Sequence, residues 1–245
     1  MNSADCTILI PTSPIPSHPT TTLIDEVVAA ARFWLPEAPI VIMADGVWEG
    51  VKHRRRDYED YLARLKNRYP NMTLTGFVEH SSQAKMTRMV IDARIVKTRY
   101  ILFNEHDIPL RTDIKIDWDT MFEFLQSVRA DVIRLSGFHE GIHPEHKHLL
   151  HGVQTINGST FYQTRQWSQW PHLSSKDFYL QMLAKHFDPH EIKMIEERMH
   201  GVCQNPEGAW IHLWEYVPAP RADGSLDGRC FIHREGRAGD SCHWQ

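Results

Sequence analysis

Tyr100-Ile-Leu-Phe-Asn-Glu-His-Asp107 is an apolar run that stops at two acids set two positions apart. The run from Tyr100 to Asn104 predicts a buried strand, and the acids Glu105 and Asp107 are then presented at its end. Hard carboxylate oxygens in that position suit Mg²⁺ or Mn²⁺, ions that bridge a diphosphate and neutralise charge on a departing nucleotide. Asp107 is the direct ligand expected here. The plain alternative is an acidic turn that caps the next segment.

The residues before this stretch give it context. Thr7-Ile-Leu-Ile-Pro11 predicts a short buried strand, ended by proline and followed by a Ser/Pro/His-rich loop through Pro19. Thr22 with Asp25 three residues on predicts a helix cap, and Leu23, Val27, Ala31 and Trp34 then fall at helical spacing. Ile40 to Ala44 repeats the apolar pattern and ends at Asp45-Gly46, before a charged helix from about Arg54 to Tyr69. Thr73 to Phe77 predicts a third strand. A helix over Ser82 to Val96 is expected to present Met86, Met89, Val90, Ala93 and Val96 on one side. Strands alternating with helices predict an α/β fold with a mostly parallel central sheet flanked by helices. Ligands of such sheets bind beyond the carboxyl ends of the strands, where Pro11 to Ser13, Asp45 and Glu105 to Asp107 are all expected.

Past Asp107 the pattern changes. Asp119 to Arg129 predicts a helix and Val132 to Leu135 a strand. Asn157-Gly158 between two alternating runs signals an antiparallel hairpin. Asp188-Pro189 predicts the start of a helix reaching about His200, with proline at its first position. The Gly-, Asp- and Arg-rich tail reads as loop.

Composition sets outer bounds. The chain has 245 residues, 42% hydrophobic and 24% charged, which predicts a single globular domain. Residues 1–115 and residues 116–245 form its two expected halves. The N-terminus carries no basic region followed by a long apolar run, so a cytoplasmic protein with no membrane attachment and no obligate protein partner is expected. Cys6, Cys203, Cys230 and Cys242 are scattered without a Cys-x-x-Cys pair, which argues against a disulfide framework or a thiolate zinc site. A formal charge of -4 excludes a generally basic surface, and sixteen histidines make metal chemistry worth testing.

The Ile-Leu-Ile-Pro-Thr strand and loop, the strand ending in Asp45-Gly46 and the acidic triplet after the fourth apolar strand together resemble the GT-A glycosyltransferases over about residues 5 to 115. The resemblance implies a GT-A-like fold, a nucleotide-diphospho-sugar donor (a UDP-sugar first among them) and Mn²⁺ or Mg²⁺. It places Pro11, Thr12 and Ser13 beside the base and ribose and Asp45 against the base. Glu105-His106-Asp107 stands where that family has Asp-x-Asp, with Glu in place of the first acid. The start of the helix holding Gln83, Lys85 and Arg88 would approach the nucleotide, so that Lys85 or Arg88 could meet its phosphates. Phe231-Ile-His-Arg-Glu-Gly-Arg237 resembles the C-terminal segment that closes over the donor, implying His233 as a metal ligand and Arg234 or Arg237 as a diphosphate contact. A compact enzyme of this outline is also similar to phage-type enzymes that glycosylate hydroxymethylated bases in DNA, which implies modified DNA as a possible acceptor.

The second half is expected to supply the acceptor chemistry. Glu207 on the Asn205-Pro-Glu-Gly208 turn and Asp177 at a helix start are candidate catalytic bases, although each taken alone reads first as a turn or first-turn acid. Trp167, Trp170 and His172, with Gln163 and Arg165 nearby, suit stacking on a sugar or a base, or core packing.

Two further patterns compete. His139-Glu-Gly-Ile-His143, with His146, His148 and His151 following, satisfies the spacing of a His-Glu-x-x-His zinc hydrolase. That chemistry needs both histidines on one helical face, and Gly141 and Pro144 oppose a helix there. Lys52-His-Arg-Arg-Arg56 is a dense basic run suited to nucleic-acid phosphates, although acids four residues on suggest ordinary salt-bridged helix surface. A noncatalytic nucleotide-binding protein is the remaining alternative, separated from an enzyme by the absence of donor turnover.

Overall fold

Four strands rich in Ile, Val and Leu make the first half of the sheet: β1 (Cys6–Thr12), β2 (Ile40–Ala44), β3 (Thr73–Gly76) and β4 (Tyr100–Phe103). They are parallel and lie in the order β3-β2-β1-β4. Every residue of β1, β2 and β4 is buried, because helices cover both faces, whereas β3 lies at the sheet edge and is partly exposed. The computed structural model describes residues 3–127, 130–139, 142–188, 192–221 and 223–234.

Side-chain alternation along these strands feeds two cores. Ile8, Ile10, Ile40, Ile42 and Leu102 face one side, covered by α1 (Thr22–Trp34), α2 (Arg55–Arg68) and α4 (Trp118–Gln126). Leu9, Val41, Met43, Ile101 and Phe103 face the other, covered by α3 (Gln83–Asp92), α5 (Lys176–His186) and α6 (Ile195–Gln204).

The second half adds β5 (Val132–Leu135), β6 (Leu150–Ile156), β7 (Ser159–Thr164), β8 (His172–Ser175) and β9 (Leu213–Val217) to one nine-stranded sheet, ordered β3-β2-β1-β4-β8-β5-β9-β7-β6. The β6–β7 hairpin turns through Asn157 and Gly158, at φ 51° and 82°, as the Asn-Gly signal requires.

Several expectations are corrected. The sheet is mixed. Four pairs are parallel (β1·β2, β1·β4, β2·β3, β5·β9), and four are antiparallel (β4·β8, β5·β8, β6·β7, β7·β9). The reason is β8, which inserts antiparallel between β4 and β5. Met89 is 48% exposed, since α3 turns its face inward through Met86, Thr87, Val90 and Ile91 and ends at Asp92. The cap of α1 is at Thr21, whose hydroxyl donates to Asp25 Oδ2 at 2.9 Å. Helix α6 begins at Ile195 and not at Asp188; residues 189–191 lie outside the described residues.

Candidate functional site

In the order β3-β2-β1-β4 the chain steps one way from β1 to β2 and β3 and then jumps to the other side of β1 to form β4. This reversal opens a crevice at the carboxyl ends of β1 and β4, the usual ligand position in α/β sheets. Glu105 to Asp107 leave β4 at that crevice. Asn104 N extends the ladder by donating to Leu9 O at 3.0 Å, and its side-chain Nδ2 donates to Ile108 O at 3.2 Å, closing the turn. Gln83, the first residue of α3, donates through Nε2 to Glu105 Oε1 at 2.9 Å. Glu105 is thereby tied to the helix start.

The C-terminal segment pairs with the chain that follows this turn. Arg111 N donates to Cys230 O (2.8 Å), Ile232 N to Pro109 O (3.0 Å) and Arg234 N to Asp107 O (2.8 Å), around an antiparallel bridge between Leu110 and Phe231. This ladder sets His233 Nε2 3.7 Å from Asp107 Oδ2. Asp107 Oδ1 is buried with no hydrogen-bond partner among the described residues. A buried carboxylate oxygen without a donor is costly unless something cationic meets it. The pair Asp107 and His233 therefore fits a divalent ion that accepts oxygen and imidazole donors. Among the described residues there is no group of three or more His, Cys, Asp or Glu able to hold a metal by itself. Glu105 does not join the pair in such a group.

Asp45, directly after β2, is 5% exposed and fully engaged. Its Oδ1 accepts from Gly46 N and Ser81 N, both at 2.7 Å, and His80 Nδ1 lies 2.7 Å from Oδ2. Burial pushes its carboxyl above the ordinary aspartate value, opposed by those amides and by His80. Asp45 thus organises the loop after β3 and holds His80 half-exposed beside it. Trp48, 51% exposed, has its ring 6.4 Å from that of His80.

Pro11 and Thr12 belong to the buried strand β1, and Thr12 Oγ1 is 3.2 Å from Tyr61 OH; Ser13 is the partly exposed member of the trio. Behind them His18 stacks on Tyr61 (3.9 Å between centroids), and burial pushes its imidazole down to about 3. Lys85 is half-buried in the first turn of α3, while Arg88 pairs with Asp92 at 3.4 Å. Arg234 pairs with Glu26 at 2.9 Å. Arg237 lies outside the described residues.

Other expectations fare differently. For Asp177, β8 runs antiparallel to β4, so Ser175 lies opposite Tyr100 and Lys176 N bonds Arg99 O. That puts Asp177 at the amino edge of the sheet, across its width from Asp107, as a first-turn acid of α5. Glu207 lies ahead of the amino end of β9, with its exposed carboxylate 3.1 Å from His186 Nδ1, and is likewise not gathered with Asp107. Trp167 and His172 are each 1% exposed and pack on each other. His172 also stacks on Phe103 and Tyr179, and burial pushes it down to about 4. Only Trp170 of that trio keeps partial exposure, a placement that gives the other two a packing role. Gln163 is half-buried and Arg165 exposed.

The His-Glu-x-x-His stretch is not helical at its described ends. His143 is extended and caps a 3₁₀ turn, Pro144–Leu149, by accepting from Glu145 N, while His139 is exposed before residues 140 and 141, which lie outside the described residues. The two histidines do not share a helical face. In the basic run, Lys52 pairs with Glu49 and Arg55 with Glu59, in keeping with a salt-bridged surface. Cys6, Cys203 and Cys230 are buried free thiols, and burial raises each, Cys203 to about 12. No described helix is long and apolar enough to cross a membrane.

The groups most deeply built into this edge carry no sequence signal. Arg134 and Glu215, each 2% exposed, form an ion pair across β5 and β9, where alternating charges read as solvent-facing. Glu196, whose carboxyl burial raises, sits in the first turn of α6 nearby.

These features define a mixed α/β fold with a switch-point crevice lined by strand-end acids. A solved structure shares the fold. Staphylococcus aureus TarS, residues 1–349, superposes with a TM-score of 0.51 at 11% identity, over 86% of this chain and 59% of that one. UDP-glucose pyrophosphorylase complexed with UDP-glucose gives 0.49 at 9% identity, over 86% and 89% of the two chains. A cytidylyltransferase from Leptospira borgpetersenii gives 0.47 at 12%, over 94% and 81%. No protein-family model matches the chain, and no curated protein matches it by sequence.

Proposed function

We propose that this protein is a metal-assisted glycosyltransferase that takes a sugar from a nucleotide-diphospho-sugar, with a UDP-sugar as the first donor to test. The observation that carries the proposal is the juxtaposition of Asp107 and His233 at the switch point, made by the ladder between the segment after β4 and the C-terminal segment. Asp107 and His233 would hold Mn²⁺ or Mg²⁺, ions that are commonly bound through one or two protein groups plus substrate phosphates. When bound, the ion supplies neutralisation of the charge that develops on the leaving nucleoside diphosphate.

The chain's own residues do the rest of the donor binding. Gln83 fixes the Glu105 carboxylate at the floor of the crevice. Asp45 orients His80, whose second ring nitrogen is free to meet a polar edge of the base, and Trp48 beside it offers an aromatic face. Lys85 stands in the first turn of α3, where the helix dipole and a cation both favour phosphate. Residues 1–115 would make this donor half, and residues 116–245 the acceptor half with the segment that closes on it.

A panel of nucleotide-sugars incubated with the full chain and Mn²⁺ or Mg²⁺, assayed for nucleoside-diphosphate release, tests the proposal. Release from at least one donor, abolished by chelation, is expected. Nucleotide binding without release from any donor would instead make the protein a noncatalytic binder.

A further inference from the structure

Phe103, His172, Arg134 and Glu215 occupy one row across four neighbouring strands, one residue short of the edge from which the Asp107 turn departs. The last two are a fully buried ion pair. Arg134 Nη1 also donates to Gln166 O (2.7 Å) and Ser168 Oγ (3.1 Å), and its guanidinium carbon lies 5.1 Å from the Trp170 ring centroid. At this pair and on the chain that wraps it six side-chain atoms are buried without a hydrogen-bond partner among the described residues: Arg134 Nε, Glu215 Oε1, Gln166 Oε1, His146 Nδ1, and both amide atoms of Gln169, which lies between Ser168 and Trp170, the two residues that meet Arg134. Gln166 and Gln169 are themselves 7% and 4% exposed. A folded chain ordinarily satisfies nearly all such atoms, so six around one ion pair mark a place built for an outside hydrogen-bonding group.

The site is next to the donor crevice. Trp170 meets Phe231 edge to face at 5.3 Å, and Phe231 is two residues before His233. It also meets Phe138 at 4.8 Å, giving the polar cluster an apolar wall. Glu215 already matches the charge of Arg134, and Glu196 adds an acid whose carboxyl burial raises, so the groups on offer are amides, a hydroxyl, imidazole and carboxyl, with no unmatched cation among them. That set suits hydroxyls on a neutral ring, whereas a phosphate or sulfate would need an unmatched cation.

We infer that the Arg134–Glu215 cluster is the acceptor subsite and that it takes a neutral, polyhydroxylated ligand, a saccharide ring, whose hydroxyls pair with Gln166, Gln169 and His146. The inference rests on the transferase proposal above for its role but not for its chemistry. Binding is read by saturation-transfer NMR on the full chain, using methyl glucoside, methyl galactoside and N-acetylglucosamine, with glucose 6-phosphate and glucuronic acid as anionic counterparts. UDP with Mn²⁺ is titrated in the same samples.

At least one neutral sugar is expected to bind. Gln169→Met is expected to weaken it about tenfold or more, the scale of one lost hydrogen bond to a buried group. The same substitution is expected to leave the melting temperature unchanged or raised, since an apolar chain of equal length replaces two unsatisfied atoms. Binding only of the anionic sugars, no binding of any neutral sugar, equal binding by Gln169→Met, or a clear drop in its melting temperature would each overturn the inference. Failure of UDP to bind would overturn the donor proposal instead, and the sugar result would stand apart from it.

Discussion

Breaking the buried pair by Arg134→Met should be among the most destabilising single changes in the molecule. Arg134 and Glu215 are each 2% exposed, and Arg134 makes two further hydrogen bonds, to Gln166 O and Ser168 Oγ. Removing it strands a carboxylate in the core between β5 and β9, which costs about 3–5 kcal/mol. Glu215→Met strands the guanidinium instead and should cost a comparable amount. The double substitution Arg134→Met/Glu215→Met removes both charges and fills the row with apolar volume, and such replacements are often neutral or stabilising. It should therefore be more stable than either single variant, with a coupling of roughly 2 kcal/mol or more within the range seen for contacting groups. Urea unfolding followed by tryptophan fluorescence and by circular dichroism gives the three values by linear extrapolation. Single variants costing under about 1 kcal/mol, or a double variant equal to the sum of the singles, would refute a buried, mutually dependent pair.

The loop that Asp45 organises should be intolerant of a methyl group at Gly46: a Cβ there would lie 2.2 Å from Glu79 C and 2.5 Å from His80 N. Gly46→Ala should displace His80 and weaken UDP binding while leaving the far half of the sheet folded, measurable by titration together with circular dichroism. Stability should fall in mild acid through His18 and His172, which burial holds at about 3 and about 4. Their folded values lie below the free imidazole value, so the unfolded chain binds more protons between those values and about 6.5. Stability is thus fully present above about 6.5 and is lost as pH falls through that window, by about 2 kcal/mol for each histidine at pH 5. His172→Phe should flatten the stability–pH curve by one such contribution in urea titrations at pH 8 and pH 5, and an unchanged slope would count against a neutral buried His172.

What could be read beforehand followed burial on both faces. β1, β2 and β4 are continuous apolar runs because helices cover both of their sides, and each ends in the polar residues that line the crevice. The hairpin at Asn157-Gly158 was equally legible, since only a few residue pairs adopt two positive φ values in succession. β8 was not legible: His172, Ser174 and Ser175 are polar, and Ser174 is buried by donating to Asp131 O, a partner 43 residues away. Nor did Arg134 and Glu215 signal their burial, because a charge in a short strand reads as facing water until its counter-charge is known. The link from Asp45 to His80 spans 35 residues, and that from Asp107 to His233 is made by backbone pairing that no side-chain pattern encodes. The likeness of the C-terminal segment to a closing segment pointed to His233, and the ladder through Leu110 and Phe231 supplies the physical means.

The proposed donor site stands or falls on Asp107 and His233 acting together. Calorimetric titration of UDP into the full chain, with Mn²⁺ and then with chelator, compared between the native sequence, Asp107→Asn and His233→Ala, measures this directly. Metal-dependent affinity that falls by about tenfold or more in each variant, roughly 1.4 kcal/mol or more per lost ligand, is the predicted result. Affinity indifferent to chelator, or unchanged in both variants, would contradict a metal and nucleotide site at this turn.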